Sequence, residues 1–324
     1  MTFWEGRGSG SMEALTAPRG LIVELVTPFT GNREIDGKSL AGLLARVSSS
    51  AQGVFLAGPH AGDGTALSPR LRADLLKQTI LALDKDPVPI FIWVTQESEE
   101  KTRETLLALS QTVKAHPCGA GLFYVDTPLY YHSNRGLSDL YRGLCLLGGG
   151  PFILHNDPEL IKGLTIPFKR NDIRTAILKE LAGFEGISGL IFSGSLDRAH
   201  NYQRACRQRP DFRIYDGDES RFLDHPSRSG IVSAGANLAP AAWGRIVKSS
   251  LQTSNDGSDY PDRLQQIWET GGCLRRMRDI YADAPSTIIK DVLAHMGIME
   301  PPVQTPENIE EVRTALRELM DQLG

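Results

Sequence analysis

Between Gly20 and Pro240 the sequence alternates short apolar runs with longer amphipathic segments, and this rhythm constrains the fold more than any other feature. Strands of a parallel sheet covered on both faces read as continuous apolar runs, and each needs a crossover, usually a helix, to return the chain. Eight such runs can be placed: Leu21–Val26, Gly53–Ala57, Pro89–Val94, Gly121–Val125, Phe152–His155, Gly186–Phe192, Phe212–Asp216 and Gly230–Ala234. Helix starts follow several of them, with Asp36, Ser68 (before Pro69) and Ser98 at capping positions. Eight is the number at which a parallel sheet closes, so the expected fold is α/β, a (β/α)8 TIM barrel. After Pro240 the strand pattern ceases, and segments near 241–252, 262–280, 286–297 and 306–323 read as helices, with Gln252–Asp259 as a polar breaker. The expected organisation is a Gly/Ser-rich, loosely ordered leader or tag over 1–19, a barrel over 20–240 and a C-terminal helical bundle over 241–324.

Composition narrows the function classes. With 35 basic against 39 acidic residues and a net charge of −4, the chain has no cationic excess for a phosphate backbone, and nucleic acid is not expected as a partner. No apolar run is long enough to span a bilayer, so no membrane role is indicated. Cys118, Cys145, Cys206 and Cys273 stand far apart, which fits a reducing cytoplasm and suggests neither a disulfide framework nor a zinc site. The seven histidines show no ligand spacing such as H-E-x-x-H, so no metal is expected, and no other cofactor is indicated. A small molecule or another protein remains as partner.

Seven landmarks stand in order along the chain: Val26–Phe29, Gly58–Gly64, Thr127-Pro-Leu-Tyr-Tyr131, His155-Asn156, Gly217-Asp218, Ala236-Asn237 and Ala284–Lys290. Together they resemble the dihydrodipicolinate synthase and N-acetylneuraminate lyase family across roughly residues 20–320. The resemblance implies a pyruvate Schiff base on a sixth-strand lysine, a tyrosine and threonine proton relay, a 2-oxo acid or similar ligand, and a homodimer or homotetramer. It also implies where this chain departs from that pattern. Ile191 occupies the lysine position, His155 the fifth-strand tyrosine, and Pro59-His60, with Ala61 inserted, the two threonines. Of the relay Tyr131 remains, and the arginine after the fifth strand has no counterpart closer than Lys162.

The candidate reactive groups are therefore Tyr131, His155, Glu24, His60 and Lys162. Glu24 is a carboxylate within an apolar strand and needs a partner, for which Lys162, His60 and His155 are options. His60 and Asp63 could pair as acid and base, or the loop could be ordinary turn chemistry. Lys162 could be a displaced amine, but an exposed lysine is usually just solvated and then a poor nucleophile at neutral pH. Trp93 is expected to pack, and its bulk could fill the pocket. Gly58, Pro59, Asp63, Asn156, Ile191, Ser193, Asp216 and Ser233, at or near strand ends, are the expected pocket residues. Three readings follow: a non-catalytic binding or regulatory relative, an enzyme acting through Glu24, His60 and His155, or a lyase using Lys162. The missing amine at Ile191 argues against the third, because no acid or base can replace a nitrogen in an iminium.

Overall fold

The structure is a computed structural model that describes residues 15–148, 150–164, 170–251, 260–302 and 308–324. The strands are β1 (Gly20–Glu24), β2 (Gly53–Leu56), β3 (Ile90–Trp93), β4 (Leu122–Asp126), β5 (Phe152–Asn156), β6 (Ile187–Phe192), β7 (Arg213–Asp216) and β8 (Gly230–Ser233). They pair in chain order, all parallel, and β8 returns to β1 to close the barrel. Each expected run became a strand, and the expected caps are made: the Asp36 carboxylate accepts from the Lys38 and Ser39 amides, Ser68 from Leu71 and Ser98 from Lys101. Closure demands glycine at one point. Gly230 has φ +109°, and a Cβ there would run into the backbone of Gly20 on β1.

Inside the barrel the packed cluster contains Ile22, Phe55, Phe91, Trp93, Phe123, Val125, Ile153, Ile191, Tyr215 and Val232. Strand side chains repeat their direction every second residue. Two positions beyond Ile22, Val125, Ile153 and Ile191 stand Glu24, Thr127, His155 and Ser193, so the strand pattern itself lays a polar layer on an apolar one at the carboxyl end.

Helices Pro240–Leu251, Tyr260–Tyr281, Pro285–His295 and Ile309–Leu323 follow the barrel. They do more than append: Tyr281 donates to Glu219 beside β7, while Ser286 and Lys290 bind Asp63 in the loop after β2. Residues 1–14 of the expected leader and the Gln252–Asp259 breaker lie outside the described residues. The end of the leader departs from expectation, because Ala17 is buried in the interior cluster and its carbonyl accepts from Arg213. Among the described residues no helix is long and apolar enough to cross a membrane.

Candidate functional site

A pocket of about 880 Å³ opens at the carboxyl ends of the strands, lined by Glu24, His60, Asp157, Lys162, Ser193 and Glu219 among others, with Arg278 and Tyr281 from helix Tyr260–Tyr281. Seven of its lining residues are acidic, against His60, Lys162 and Arg278. That balance disfavours an anionic guest unless something else supplies positive charge.

At the centre His60 Nε2 lies 2.7 Å from Asp157 Oδ2. Asp157 follows β5 directly, and its Oδ1 accepts from the Glu159 and Leu160 amides, so helix capping fixes one oxygen while the other faces His60. The His60 ring is enclosed by protein yet has 40 % of its side chain open to the pocket. Burial works against its charge, but the hydrogen bond to Asp157 and the carboxylate of Glu24 outweigh this and raise its pKa to about 9. Burial likewise opposes ionisation of Asp157, and His60 overcomes it, lowering the carboxyl to about 2. The pair is therefore ionic at neutral pH.

Glu24 finds its partner in backbone rather than in a lysine. Its Oε1 accepts from the His60 and Ala61 amides, both at 2.9 Å, which pins the β2 loop and with it the His60 ring. Gly58 is small for this reason, since a Cβ there would strike the Glu24 carboxylate.

His155 sits deeper, its ring centroid 6.4 Å from that of His60 and nearly perpendicular. Its Nδ1 is 2.9 Å from Thr127 Oγ1, which in turn accepts from Trp93 Nε1 at 2.9 Å. Burial lowers the pKa of His155 to about 4, so it is neutral. Trp93 is locked from behind by Arg72, whose guanidinium stacks on the indole and donates to the carbonyls of Gly64, Trp93 and Thr95. The expected packing role of Trp93 holds, and its bulk fills the barrel interior beside Ile191.

The model of the dihydrodipicolinate synthetase family matches residues 17–322. The chain belongs to this family. It is 24% identical over 313 residues to the 4-hydroxy-tetrahydrodipicolinate synthase of Alcanivorax borkumensis, covering 94% of this chain and 98% of that one. The corresponding synthase of Protochlamydia amoebophila is 27% identical over 239 residues, 72% of this chain and 74% of that one. Among solved structures, dihydrodipicolinate synthase from Thermotoga maritima superposes with a TM-score of 0.75 at 19% identity, covering 95% and 99% of the two chains. A prophage protein of the family from E. coli K12, in complex with pyruvate, gives 0.74 at 20%, covering 94% and 98%.

Within this family member, Ile191 pairs with His155 on β5 and Tyr215 on β7, its side chain 1% exposed among the interior apolar residues. Lys162, on helix Pro158–Lys162, points its amine at Glu159 at the rim and is 55% exposed. Among the described residues it is the one lysine that lines the pocket.

Several expected site residues take other places. Tyr131 is turned to the buried Asp126 carboxyl at 2.9 Å, shared with Tyr141, and does not line the pocket. Asp63 pairs with Ser286 and Lys290 of helix Pro285–His295 instead of His60, because that helix packs against the loop after β2. Asp216 points outward to Arg221 Nε at 2.7 Å and the Ser227 amide. Asn156 holds the 171–173 segment through Ile173 and Asn171, Ser233 supports Glu219, and Pro59 stands off the pocket lining. Glu24, His60, Lys162 and Ser193 do line it.

Asp157, Glu219 and Tyr281 were not singled out from sequence, and Thr127 entered only as the first residue of the Thr127–Tyr131 landmark. Glu219 is fully enclosed, with a pKa raised by burial against donors from Ser233, Tyr281 and the Gly235 amide. Asp157 carried one readable signal, an acid placed directly between a strand end and Pro158.

Proposed function

We propose that this family member does not form a pyruvate Schiff base and instead binds a small polar molecule, uncharged or cationic, in the pocket at the barrel mouth, as a binding or regulatory protein. The observation that carries this reading is Ile191, a buried hydrocarbon at the β6 position between His155 and Tyr215. An imine needs a primary amine near the carbonyl, and one whose charge is suppressed. Lys162 offers an amine, but in water and beside a carboxylate. The acidic lining argues further against the 2-oxo acid that the family resemblance implies, since its carboxylate would meet like charge.

A second reading is favoured by one arrangement, the ionic His60–Asp157 pair beside a neutral His155. The His60 imidazolium lines the pocket and can supply an acid to a bound molecule, with the neutral imidazole of His155 6.4 Å behind it, off the lining. Self-association as a homodimer or homotetramer is kept as part of the proposal, with light scattering at micromolar concentration as its check.

The test of the main reading is incubation with pyruvate and borohydride followed by intact-mass measurement. The mass should be unchanged. A reduced pyruvate adduct mapped to Lys162 or to any other lysine, together with lyase turnover, would overturn the reading in favour of displaced-lysine chemistry.

A further inference from the structure

We propose that His60 and Asp157, which line the pocket, and His155 behind them form a binding site for a divalent first-row transition-metal ion of the zinc class. One ligand atom from each of the three lies within 4.8 Å of the others. Two imidazoles and one carboxylate, with room left for water or a guest, make a donor set that suits Zn2+ and Fe2+ and leaves open coordination positions.

A simple ion pair accounts for His60 and Asp157 but not for His155. Its ring is 3% exposed, its Nδ1 is engaged by Thr127, and among the described residues no group hydrogen-bonds to its Nε2. A ring nitrogen of His155 belongs to the same cluster as a carboxylate and a second imidazole.

Each ligand is also held from behind, as metal-binding side chains are. Thr127, itself fixed by the Trp93 indole, orients His155. The Glu159 and Leu160 amides fix Asp157, and Glu24 fixes the backbone of His60. Two ligands about 2.1 Å from a tetrahedral ion stand about 3.4 Å apart, so the 2.7 Å His60–Asp157 contact must open slightly. The His60 ring, facing the pocket, has the freedom to do so. A dication there would also offset the acidic lining. The inference does not depend on the loss of Schiff-base chemistry, because the adduct experiment reports on lysines and a metal titration on imidazoles.

The experiment is calorimetric titration of chelator-treated full-length protein with Zn2+ and, separately, Co2+, whose visible spectrum reports nitrogen ligation. Wild type should bind one equivalent, and His155→Gln, Asp157→Asn and His60→Gln should each weaken binding by at least about tenfold. Lys162→Ala, which alters only the rim, should bind as wild type does. If His155→Gln or Asp157→Asn fails to fold by circular dichroism, His60→Gln decides, since it removes a ligand without opening the core. Absence of binding to wild type, or unchanged binding in His60→Gln, would overturn the proposal.

Discussion

Two layers of the same barrel, two residues apart along each strand, carry different chemistry. Below, Ile22, Phe91, Trp93, Ile153, Ile191 and Val232 pack a closed interior, while above them Glu24, Thr127, His155 and Ser193 begin a polar mouth that Asp157 and His60 complete. In the Schiff-base chemistry that the family resemblance implies, the reactive amine would rise from the lower layer. In this chain Ile191 in that layer is a hydrocarbon, and Glu24, His60, His155 and Asp157 stand one level outward. The comparison teaches that one fold can present different side chains at the same strand ends, so the fold alone does not fix the chemistry of the pocket.

The sharpest way to break the comparison is Trp93→Ala. Removing a fully buried indole from a packed interior costs about 3–5 kcal/mol, and here the Thr127–His155 chain loses its anchor as well. Denaturant unfolding should show a loss in that range. A loss below about 1 kcal/mol would mean that the lower layer is not closed, and the distinction between layers would fail.

Next in size is Glu24→Ala at the mouth. It would leave the His60 and Ala61 amides without their acceptor, and unpairing buried donors costs about 1–3 kcal/mol. Gly58→Ala should act in the same direction by displacing the same carboxylate. Equal stability of both variants with wild type in denaturant unfolding would show that the Glu24 contacts do not hold the loop.

The lower layer was legible in the sequence because it is local. Apolar runs and caps placed the eight strands, and the resemblance put Ile191 and His155 on the sixth and fifth of them, which the structure pairs side by side. The mouth was only half legible. Glu24 stood out as a charge in an apolar strand, but its acceptance of backbone amides depends on how the β2 loop folds back. His60 and Asp157 are 97 residues apart, Tyr281 and Glu219 are 62 apart, and Asp63 and Lys290 are 227 apart. Barrel closure and helix docking create those pairs, and no spacing rule along the chain encodes them. His60 and His155 were grouped from sequence, but their joining with Asp157 escaped for the same reason.

The ionic pair at the mouth also predicts a pH dependence that the lower layer cannot have. His60 is raised from 6.5 to about 9 in the folded protein, so its contribution is fully present below pH 6.5 and is lost as pH rises through about 9. Asp157 is lowered from 3.8 to about 2, so its contribution is present above 3.8 and is lost as pH falls through about 2. The stability difference between wild type and His60→Gln should therefore be largest between about pH 4 and 6.5 and shrink toward pH 9. Thermal melts across that range check it. A difference that grows with pH would mean that His60 is neutral in the folded state.

The smallest effect is expected from Lys162→Ala, and it bears most directly on whether any amine chemistry survives at the mouth. Lys162 is 55% exposed and its partner Glu159 79% exposed, three residues apart on one short helix. Pairs of this kind contribute about 0–1 kcal/mol, because water screens them and two flexible side chains must be ordered. The denaturation midpoint should therefore barely move. The borohydride-treated mass should also match wild type, since an exposed lysine paired with a carboxylate is a poor nucleophile. If wild type instead gains a pyruvate adduct that Lys162→Ala abolishes, the amine function has migrated from the lower layer to the mouth. The two layers would then differ in where the nucleophile sits rather than in whether one exists.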